Sequence, residues 1–339
     1  MKILILKPSS LGDVVQAIPV LRLIKRHLPA AQIYWWIETG LAPLLEGDPD
    51  LAGVVRFDRR RWATPANWNQ LWRDVQWLRA QRFDWVIDLQ CLLRSGAFAW
   101  IADGDFLIGL DEKREGARGF YDVAVPRASY HTHAVDWYLS VLPRLGVPVH
   151  WNFDWLPHSP AIAAAVREKW KPDTDLWIAL QPGARWTNKR WPATHFAELI
   201  RLLSSRYDDA RFAILGGSDD IALADSIVSA APERCLNLAG RTSLLEMVEW
   251  LRLSRLLVTN DTGPMHVAAA LRMPVVATLG PTDERRTGPY GQLDRVVRHP
   301  LPCAPCMKSR CHYSLPMECL NAISPAEVFA RVERLLPTR

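Results

Sequence analysis

The chain has 339 residues, 49% of them hydrophobic and 23% charged, with a formal net charge of +5. This length suits two ordinary domains, and the composition excludes a disordered or low-complexity chain. The mild positive charge suggests an anionic partner, and we expect no nucleic acid. The apolar run at residues 3–6 is too short for a signal peptide, and no stretch reaches the roughly 18 apolar residues of a membrane span. We therefore expect a cytoplasmic protein that is able to lie peripherally against a membrane.

The first half of the chain opens with a strand, a loop and a helix. Residues 3–6 predict a central strand of a parallel sheet, and residues 7–13 form the loop before a helical pattern. Asp13 then lies near the carboxyl end of that strand, where open α/β sheets bind ligands. Its carboxylate suits a general base if a substrate hydroxyl reaches it, and it equally suits a helix cap. Gly12 would let a ligand approach the backbone closely.

Further strands and helices are predicted at residues 33–37, 68–81 and 85–89. Arg94 follows the last of these strands, so we expect it at the same edge of the sheet as Asp13. Residues 108–118 predict a polar loop that carries Arg114 and Arg118. The loop after the first strand lacks the Gly-x-Gly-x-x-Gly fingerprint, so a nicotinamide cofactor is not expected.

A proline-containing break between residues 151 and 175 separates these elements from a second series. Its strands are predicted at residues 176–180, 211–215, 256–258 and 275–279. The first is followed by Gly183, Arg185, Thr187 and Lys189, whose backbone and cationic groups suit a diphosphate, although Lys189 equally suits a solvated loop. Ser218 and the neighbouring Asp219 or Asp220 follow the next strand, where a carboxylate suits either ribose hydroxyls or a helix cap.

The stretch at residues 255–271 is the one around which the chain is organised. An apolar strand is followed at once by Asp261, Thr262 and Gly263 and then by a helix. The free N–H groups at the start of that helix offer an anion site, and the side-chain oxygens offer contacts to a sugar. An ordinary capped turn is the alternative interpretation of the same residues.

Four segments, residues 7–13, 88–95, 260–266 and 279–283, together resemble the lipopolysaccharide heptosyltransferases of glycosyltransferase family 9. The resemblance covers residues 1 to about 335 and implies an α/β protein of the GT-B class, with two Rossmann-like domains facing across a cleft. The implied domains are an acceptor-binding domain at 1–170, an ADP-sugar-binding domain at 171–323, and a C-terminal helix at 324–339 that returns to the first domain.

The resemblance also assigns roles to individual residues. Asp13 becomes the catalytic base and Lys189 the catalytic cation that binds the diphosphate, while His266 is structural or donor-binding. The full donor-binding set is Gly183, Arg185, Thr187, Lys189, Ser218, Asp219, Asp261, Thr262, Gly263 and His266. The acceptor-binding candidates are Ser10, Gly12, Arg60, Arg61, Arg94, Arg114 and Arg118, because arginine matches carboxylate and phosphate groups bidentately.

The implied reaction is inverting transfer of heptose from ADP-heptose to the Kdo region or inner core of lipopolysaccharide at the inner-membrane surface. The first half of the chain is closest to the enzyme that adds the first heptose to Kdo. Three alternatives stay open: a heptosyltransferase with a protein acceptor, a GT-B sugar-nucleotide epimerase or hydrolase, and a non-catalytic nucleotide-sugar-binding protein. Turnover without an acceptor would favour the second alternative.

Four cysteines near the C-terminus, Cys303, Cys306, Cys311 and Cys319, have the spacing C-x2-C-x4-C-x7-C. This pattern is more similar to the second heptosyltransferase and to iron-bearing heptosyltransferases that modify autotransporters. Four thiolates would suit a structural zinc or iron site, although the spacing is not a standard zinc pattern and free thiols are equally compatible. No cofactor is expected to be required for catalysis.

Overall fold

A computed structural model describes residues 1–58, 68–112, 115–172 and 176–336, and these fall into two compact units, Met1–Pro157 and His158–Arg339. The strands of the first unit are β1 (Lys2–Leu6), β2 (Gln32–Glu38), β3 (Gly53–Phe57), β4 (Trp85–Asp88), β5 (Phe106–Asp111) and β6 (Val123–Pro126). Its helices are α1 (Leu11–His27), α2 (Trp68–Ala80), α3 (Leu93–Ile101) and α4 (Ala134–Leu139). The strands form one parallel sheet in the order β3-β2-β1-β4-β5-β6.

The residues of β1 explain why it lies at the centre of this sheet. Residues 3–6 are all apolar and fully buried, as expected for a strand covered on both faces. Leu4 and Leu6 pack with Leu78 of α2 and Phe98 of α3, so both helices cover the same face. The predicted polar loop at residues 108–118 is wrong at its start, because Ile108 and Leu110 are fully buried within β5.

The strands of the second unit are β7 (Trp177–Gln181), β8 (Arg211–Ile214), β9 (Cys235–Asn237), β10 (Leu256–Asn260), β11 (Val275–Thr278) and β12 (Val296–Val297). Its helices are α5 (Pro160–Trp170), α6 (Ala193–Arg206), α7 (Ile221–Val228), α8 (Leu244–Leu253), α9 (Gly263–Ala270), α10 (Glu284–Thr287), α11 (Glu318–Asn321) and α12 (Pro325–Glu333). Short 3-10 helices include Thr187–Lys189 and Ser218–Asp220. The strands form a second parallel sheet in the order β12-β11-β10-β7-β8-β9.

The two sheets have the same topology. In each, the chain begins at a central strand, moves outward in one direction, and then returns to fill the other side of that strand. The reversal places β1 beside β4 in the first unit and β7 beside β10 in the second. This strand order is that of the Rossmann fold, in which ligands bind at the reversal point, so the predicted α/β fold with two Rossmann-like domains is confirmed.

The domain boundary lies earlier than the expected position after residue 170. Buried Arg22 of α1 donates hydrogen bonds from Nε and Nη2 to the carbonyl of Trp155, at 3.1 and 2.9 Å, which ties that segment to the first unit. In contrast, α5 packs against α8 and buries Val166 in the second unit. The chain therefore changes units just before α5.

The final helix also differs from the expectation that it returns to the first domain. Its residues Val328 and Val332 are fully buried in the core of the second unit, and the helix packs against α6. Ser324 caps it, because its hydroxyl accepts the N–H of Glu327 while the Glu327 carboxylate accepts the N–H of Ser324. None of the helices in the described part of the chain is long and apolar enough to cross a membrane.

Candidate functional site

The reversal point of the second sheet carries an ion pair between residues from two neighbouring strand ends. Nζ of Lys189, in the loop after β7, lies 2.7 Å from Oδ2 of Asp261, the residue after β10. Oγ1 of Thr282 donates a second hydrogen bond to the same carboxylate oxygen, at 2.6 Å. The Asp261 side chain is only 5% exposed and that of Lys189 only 18%, so solvent screens this pair weakly. An ammonium has three N–H donors, and Asp261 accepts one of them.

Asn260, the last residue of β10, explains why the loop containing Lys189 takes a defined path. Its Nδ2 donates to the carbonyl of Pro182 at 2.6 Å, and its Oδ1 accepts the N–H of Trp191 at 2.9 Å. The amide thus holds both ends of the loop that carries Lys189. Thr278 of β11 donates to the same Oδ1 at 3.1 Å, so the fully buried Asn260 has partners for both of its polar atoms. Asn260 lies in the segment 260–266 that carries the family resemblance, but no role was predicted for it.

Gly183 lies directly against the side chain of Asp220. A Cβ atom at position 183 would come within 3.0 Å of the Asp220 carboxylate, a distance that real Cβ contacts do not show. Oδ2 of Asp220 also accepts the N–H of Gly217 at 3.1 Å, and Arg190 lies 3.7 Å from Oδ1. Asp219 was predicted to bind the donor, but it is exposed, and the structure places the adjacent Asp220 beside the loop that follows β7.

The other predicted donor residues divide by exposure. Arg185, Thr187 and Ser218 are exposed on the loops after β7 and β8. Thr262 is the N-terminal cap residue of α9, and Gly263 is the first residue of that helix. His266 is buried within the same helix, 8% exposed. Lys189, Asp261 and the start of α9 thus lie at adjacent strand ends, as the anion-site prediction requires.

Asp13, the predicted base, lies in the first turn of α1 and is partly buried. Its Oδ2 accepts two hydrogen bonds from Ser10, one from the backbone N–H at 3.0 Å and one from the hydroxyl at 2.7 Å. Its Oδ1 accepts the hydroxyl of Tyr138 of α4 at 3.2 Å. Both alternatives from the sequence are therefore compatible with the geometry, because the carboxylate binds the helix start and also remains at the carboxyl end of β1.

Tyr138 belongs to a buried group that links α4 to the reversal point of the first sheet. The residue is 4% exposed, and burial, followed by the charge of Asp13, raises the pKa of its hydroxyl well above the ordinary value. Nζ of Lys7 lies 4.6 Å from the centre of the tyrosine ring and donates to the carbonyl of Leu89, just after β4, at 3.0 Å. No feature of the sequence near Tyr138 indicated this arrangement.

The predicted acceptor residues differ in exposure and in the contacts they make. Arg94 is exposed near the start of α3, and Arg118 is exposed with its guanidinium 3.5 Å from Asp111. Gly12 is buried in the first turn of α1. Ser10 contacts Asp13, as described above. The remaining acceptor candidates, Arg60, Arg61 and Arg114, lie outside the described residues.

The four C-terminal cysteines line one cavity of about 240 Å³. Burial, and then the neighbouring thiols, raise the pKa of Cys319 to about 11. Within the described ranges, no three Cys, His, Asp or Glu side chains are grouped so that they could hold a metal ion. The four cysteines thus share a cavity without forming a ready-made metal site, and metal binding stays a prediction.

This cavity adjoins the loops that carry Lys189 and Thr282. Asn188, next to Lys189, lines it and donates from Nδ2 to the carbonyl of Lys308 at 2.9 Å. The N–H of Met307 donates to the carbonyl of Pro281, next to Thr282, at 2.7 Å. Residues 303–319, here called the cysteine segment, therefore support both loops from which Asp261 receives hydrogen bonds.

Residues 71–315 match the family described as Glycosyltransferase family 9 (heptosyltransferase). The chain is 30% identical to lipopolysaccharide heptosyltransferase 1 of Pseudomonas aeruginosa strain PAO1, covering 99% of this chain and 98% of that protein. Among solved structures, it is similar to the E. coli heptosyltransferase WaaC with ADP, with a TM-score of 0.79, 26% identity and coverage of 99% and 100% of the two chains. It is equally similar to E. coli ADP-heptose lps heptosyltransferase II, with a TM-score of 0.79, 25% identity and coverage of 99% and 98%. The chain therefore belongs to glycosyltransferase family 9, the heptosyltransferases.

Proposed function

We propose that this glycosyltransferase moves heptose from ADP-heptose to the Kdo region or inner core of lipopolysaccharide, with inversion at the anomeric carbon. The observation that carries the proposal is the Lys189–Asp261 pair at the reversal point of the second sheet, next to the N-terminus of α9. A cation and free N–H groups at one sheet edge suit the two phosphates of a nucleotide sugar. Similarity to a lipopolysaccharide heptosyltransferase over 99% of the chain supports the sugar and the acceptor.

The proposed step is a single displacement. The acceptor hydroxyl attacks the anomeric carbon, its proton passes to Asp13, and the bond from that carbon to the ADP oxygen breaks. Lys189 and the start of α9 stabilise the negative charge that develops on the departing diphosphate. These residues supply positive charge to the diphosphate themselves, and the proposal therefore assigns no cofactor to the chemical step.

The cysteine segment is given a supporting role in this proposal. Its backbone holds Asn188 and Pro281, which adjoin Lys189 and Thr282, so its effect on donor binding passes through these two loops. A zinc or iron ion bound by the four thiolates would be structural, because it would tighten the segment behind the loops. No step of the transfer is assigned to it.

We also propose that the first unit lies against the inner-membrane surface on the cytoplasmic side, where a lipid-anchored acceptor would be met. Support comes from α2 and α3, which cover the same face of the first sheet. Trp72 and Trp77 of α2 are 62% and 47% exposed, and Trp100 of α3 is 64% exposed. Tryptophan favours the membrane interface, and the exposed Arg94 of α3 adds positive charge for anionic headgroups.

The direct experiment measures ADP release from ADP-heptose with and without Kdo-lipid A, followed by mass spectrometry of the acceptor. We expect ADP release to require the acceptor and the acceptor to gain the mass of one heptose. ADP release without any acceptor would instead indicate an epimerase or hydrolase. Donor binding without a mass gain would redirect the search to heptosylated cores and protein acceptors.

A further inference from the structure

The carboxylate of Asp13 is held from two separate directions. Ser10, three residues earlier, donates to Oδ2, and Tyr138, which is 125 residues later, donates to Oδ1. A carboxylate anchored through one oxygen can still rotate about its side-chain bonds, whereas anchors on both oxygens fix its plane. A catalytic group needs this kind of support to meet its substrate within a few tenths of an ångström.

The Tyr138 side chain is itself fixed. It is buried, its ring lies under the Lys7 ammonium, and Lys7 is held by the Leu89 carbonyl. Its hydroxyl stays protonated at physiological pH, because burial and the adjacent Asp13 charge raise its pKa well above the ordinary value. The hydroxyl is therefore a permanent hydrogen-bond donor at the end of a rigid side chain, and the bond it makes favours the ionised form of the carboxylate.

We propose that Tyr138 is a positioning residue for transfer, whose hydroxyl fixes Oδ1 of Asp13 and keeps the carboxylate ionised and aimed at the acceptor hydroxyl. Tyr138 does not exchange its own proton: the acceptor proton passes to Asp13, and the tyrosine hydroxyl donates before and after the step. This inference rests on the proposed role of Asp13 as the base.

The test is the pH dependence of kcat/KM for the acceptor in the wild type and in Tyr138→Phe. Removing the donor should make the carboxylate easier to protonate, so the acid limb of the profile should move to higher pH by about one unit. At the pH optimum kcat should fall by about tenfold, while the KM for the acceptor and the affinity for ADP stay within about twofold. A residue that only stabilises the fold would not shift the acid limb.

Tyr121→Phe is the matched control. The Tyr121 hydroxyl donates to Oδ2 of buried Asp88 at 2.7 Å in the same unit, so this variant removes the same chemical group from a different tyrosine–aspartate bond. We expect it to lower the melting temperature without moving the acid limb. If Tyr138→Phe does not fold, incorporation of 3-fluorotyrosine at position 138 keeps the side chain and strengthens the donor, and the acid limb should then move to lower pH.

The outcomes separate this inference from the proposed function. An inactive Asp13→Asn variant, together with an unchanged acid limb in Tyr138→Phe or in the fluorotyrosine protein, would overturn the role of Tyr138 and leave Asp13 as the base. An Asp13→Asn variant with wild-type activity would overturn both. A shifted acid limb in Tyr138→Phe, with Tyr121→Phe unchanged, is the result that establishes the positioning role.

Discussion

Lys189 and Asp261, which lie 72 residues apart in the sequence, form an ion pair at 2.7 Å between the loops that follow β7 and β10. The first prediction concerns this pair. Lys189→Ala should lower turnover by about 10²–10³-fold and weaken ADP binding, because it removes the cation that we propose faces the diphosphate. Calorimetric titration with ADP and steady-state kinetics measure both effects.

Lys169→Ala is the control for that experiment. Lys169 also forms an ion pair, 2.9 Å from Glu246 in the same unit, but its side chain is 49% exposed and lies on α5. Removing a surface pair should change stability little and leave ADP binding unaltered. Equal ADP affinity in the wild type and in Lys189→Ala would show that this lysine does not bind the diphosphate.

The second prediction concerns Asp13. Asp13→Asn keeps the size of the side chain and removes its basicity, so turnover should fall by about 10²–10⁴-fold. ADP affinity should be retained, since the residues predicted to bind the donor belong to the second unit. Asp103→Asn, an exposed carboxylate paired with Arg79 at 2.8 Å, is the control and should remain active. Measurable transfer at the wild-type rate by Asp13→Asn would remove it from the role of base.

The third prediction concerns the close approach of Gly183 to Asp220. Gly183→Ala should lower the melting temperature and weaken ADP binding, because the added methyl group meets the Asp220 carboxylate. The double variant Gly183→Ala, Asp220→Ala should recover part of the lost stability, since it removes the atoms that clash. Gly217→Ala is the control, because a Cβ there meets nothing within 4 Å. No recovery in the double variant would mean that the clash is not the cause.

The sequence predicted residues that lie at strand ends and could not predict the partners that reach them from elsewhere. Asp13, Lys189 and Asp261 follow short apolar runs, so local pattern and the geometry of parallel sheets were enough to bring them to ligand-binding edges. Thr282 also follows a strand, although its hydrogen bond to Asp261 was not predicted. Tyr138 approaches Asp13 only through the packing of a distant helix, which no local pattern encodes.

The sequence also could not show which of two adjacent, chemically similar residues lies in the site. Asp219 and Asp220 are chemically alike, and only the rotation of the 3-10 turn decides that Asp220 lies beside Gly183. The final helix was expected on the first domain because of the family resemblance. Its buried Val328 and Val332 instead complete the core of the second unit, a choice of partner surface that helical periodicity alone does not specify.

The fourth prediction concerns the exposed tryptophans of α2 and α3. The double variant Trp72→Ser, Trp100→Ser should bind vesicles of phosphatidylglycerol and phosphatidylethanolamine less tightly, by about tenfold per side chain, because each loses roughly 1.5 kcal/mol of apolar burial. Vesicle sedimentation measures the bound fraction. Trp151→Ser is the control, since Trp151 is 42% exposed but belongs to neither helix and stacks with Phe153 and Trp155. Unchanged binding by the double variant would refute the proposed membrane face.

The fifth prediction concerns the reactivity of the cysteines, which reports on their cavity and on any metal. Cys303 is exposed, whereas burial raises the pKa of Cys319 to about 11 and that of Cys235 to about 12. Because the thiolate is the reactive form, only roughly a thousandth of Cys319 is reactive at about pH 8, and the fraction rises as the pH approaches 11. Iodoacetamide should therefore modify Cys303 first, and Cys319 should follow only as the pH is raised.

Mass spectrometry of the alkylated peptides gives the order of reaction at each pH, and Cys235 is the internal reference for a partly buried thiol outside the cavity. The metal question is answered by repeating the series after treatment with a chelator. Free thiols should react at the same rates with and without the chelator. If Cys303 and the other cavity cysteines are protected until the chelator is added, the thiolates are bound to a metal ion, and elemental analysis of the untreated protein then identifies it.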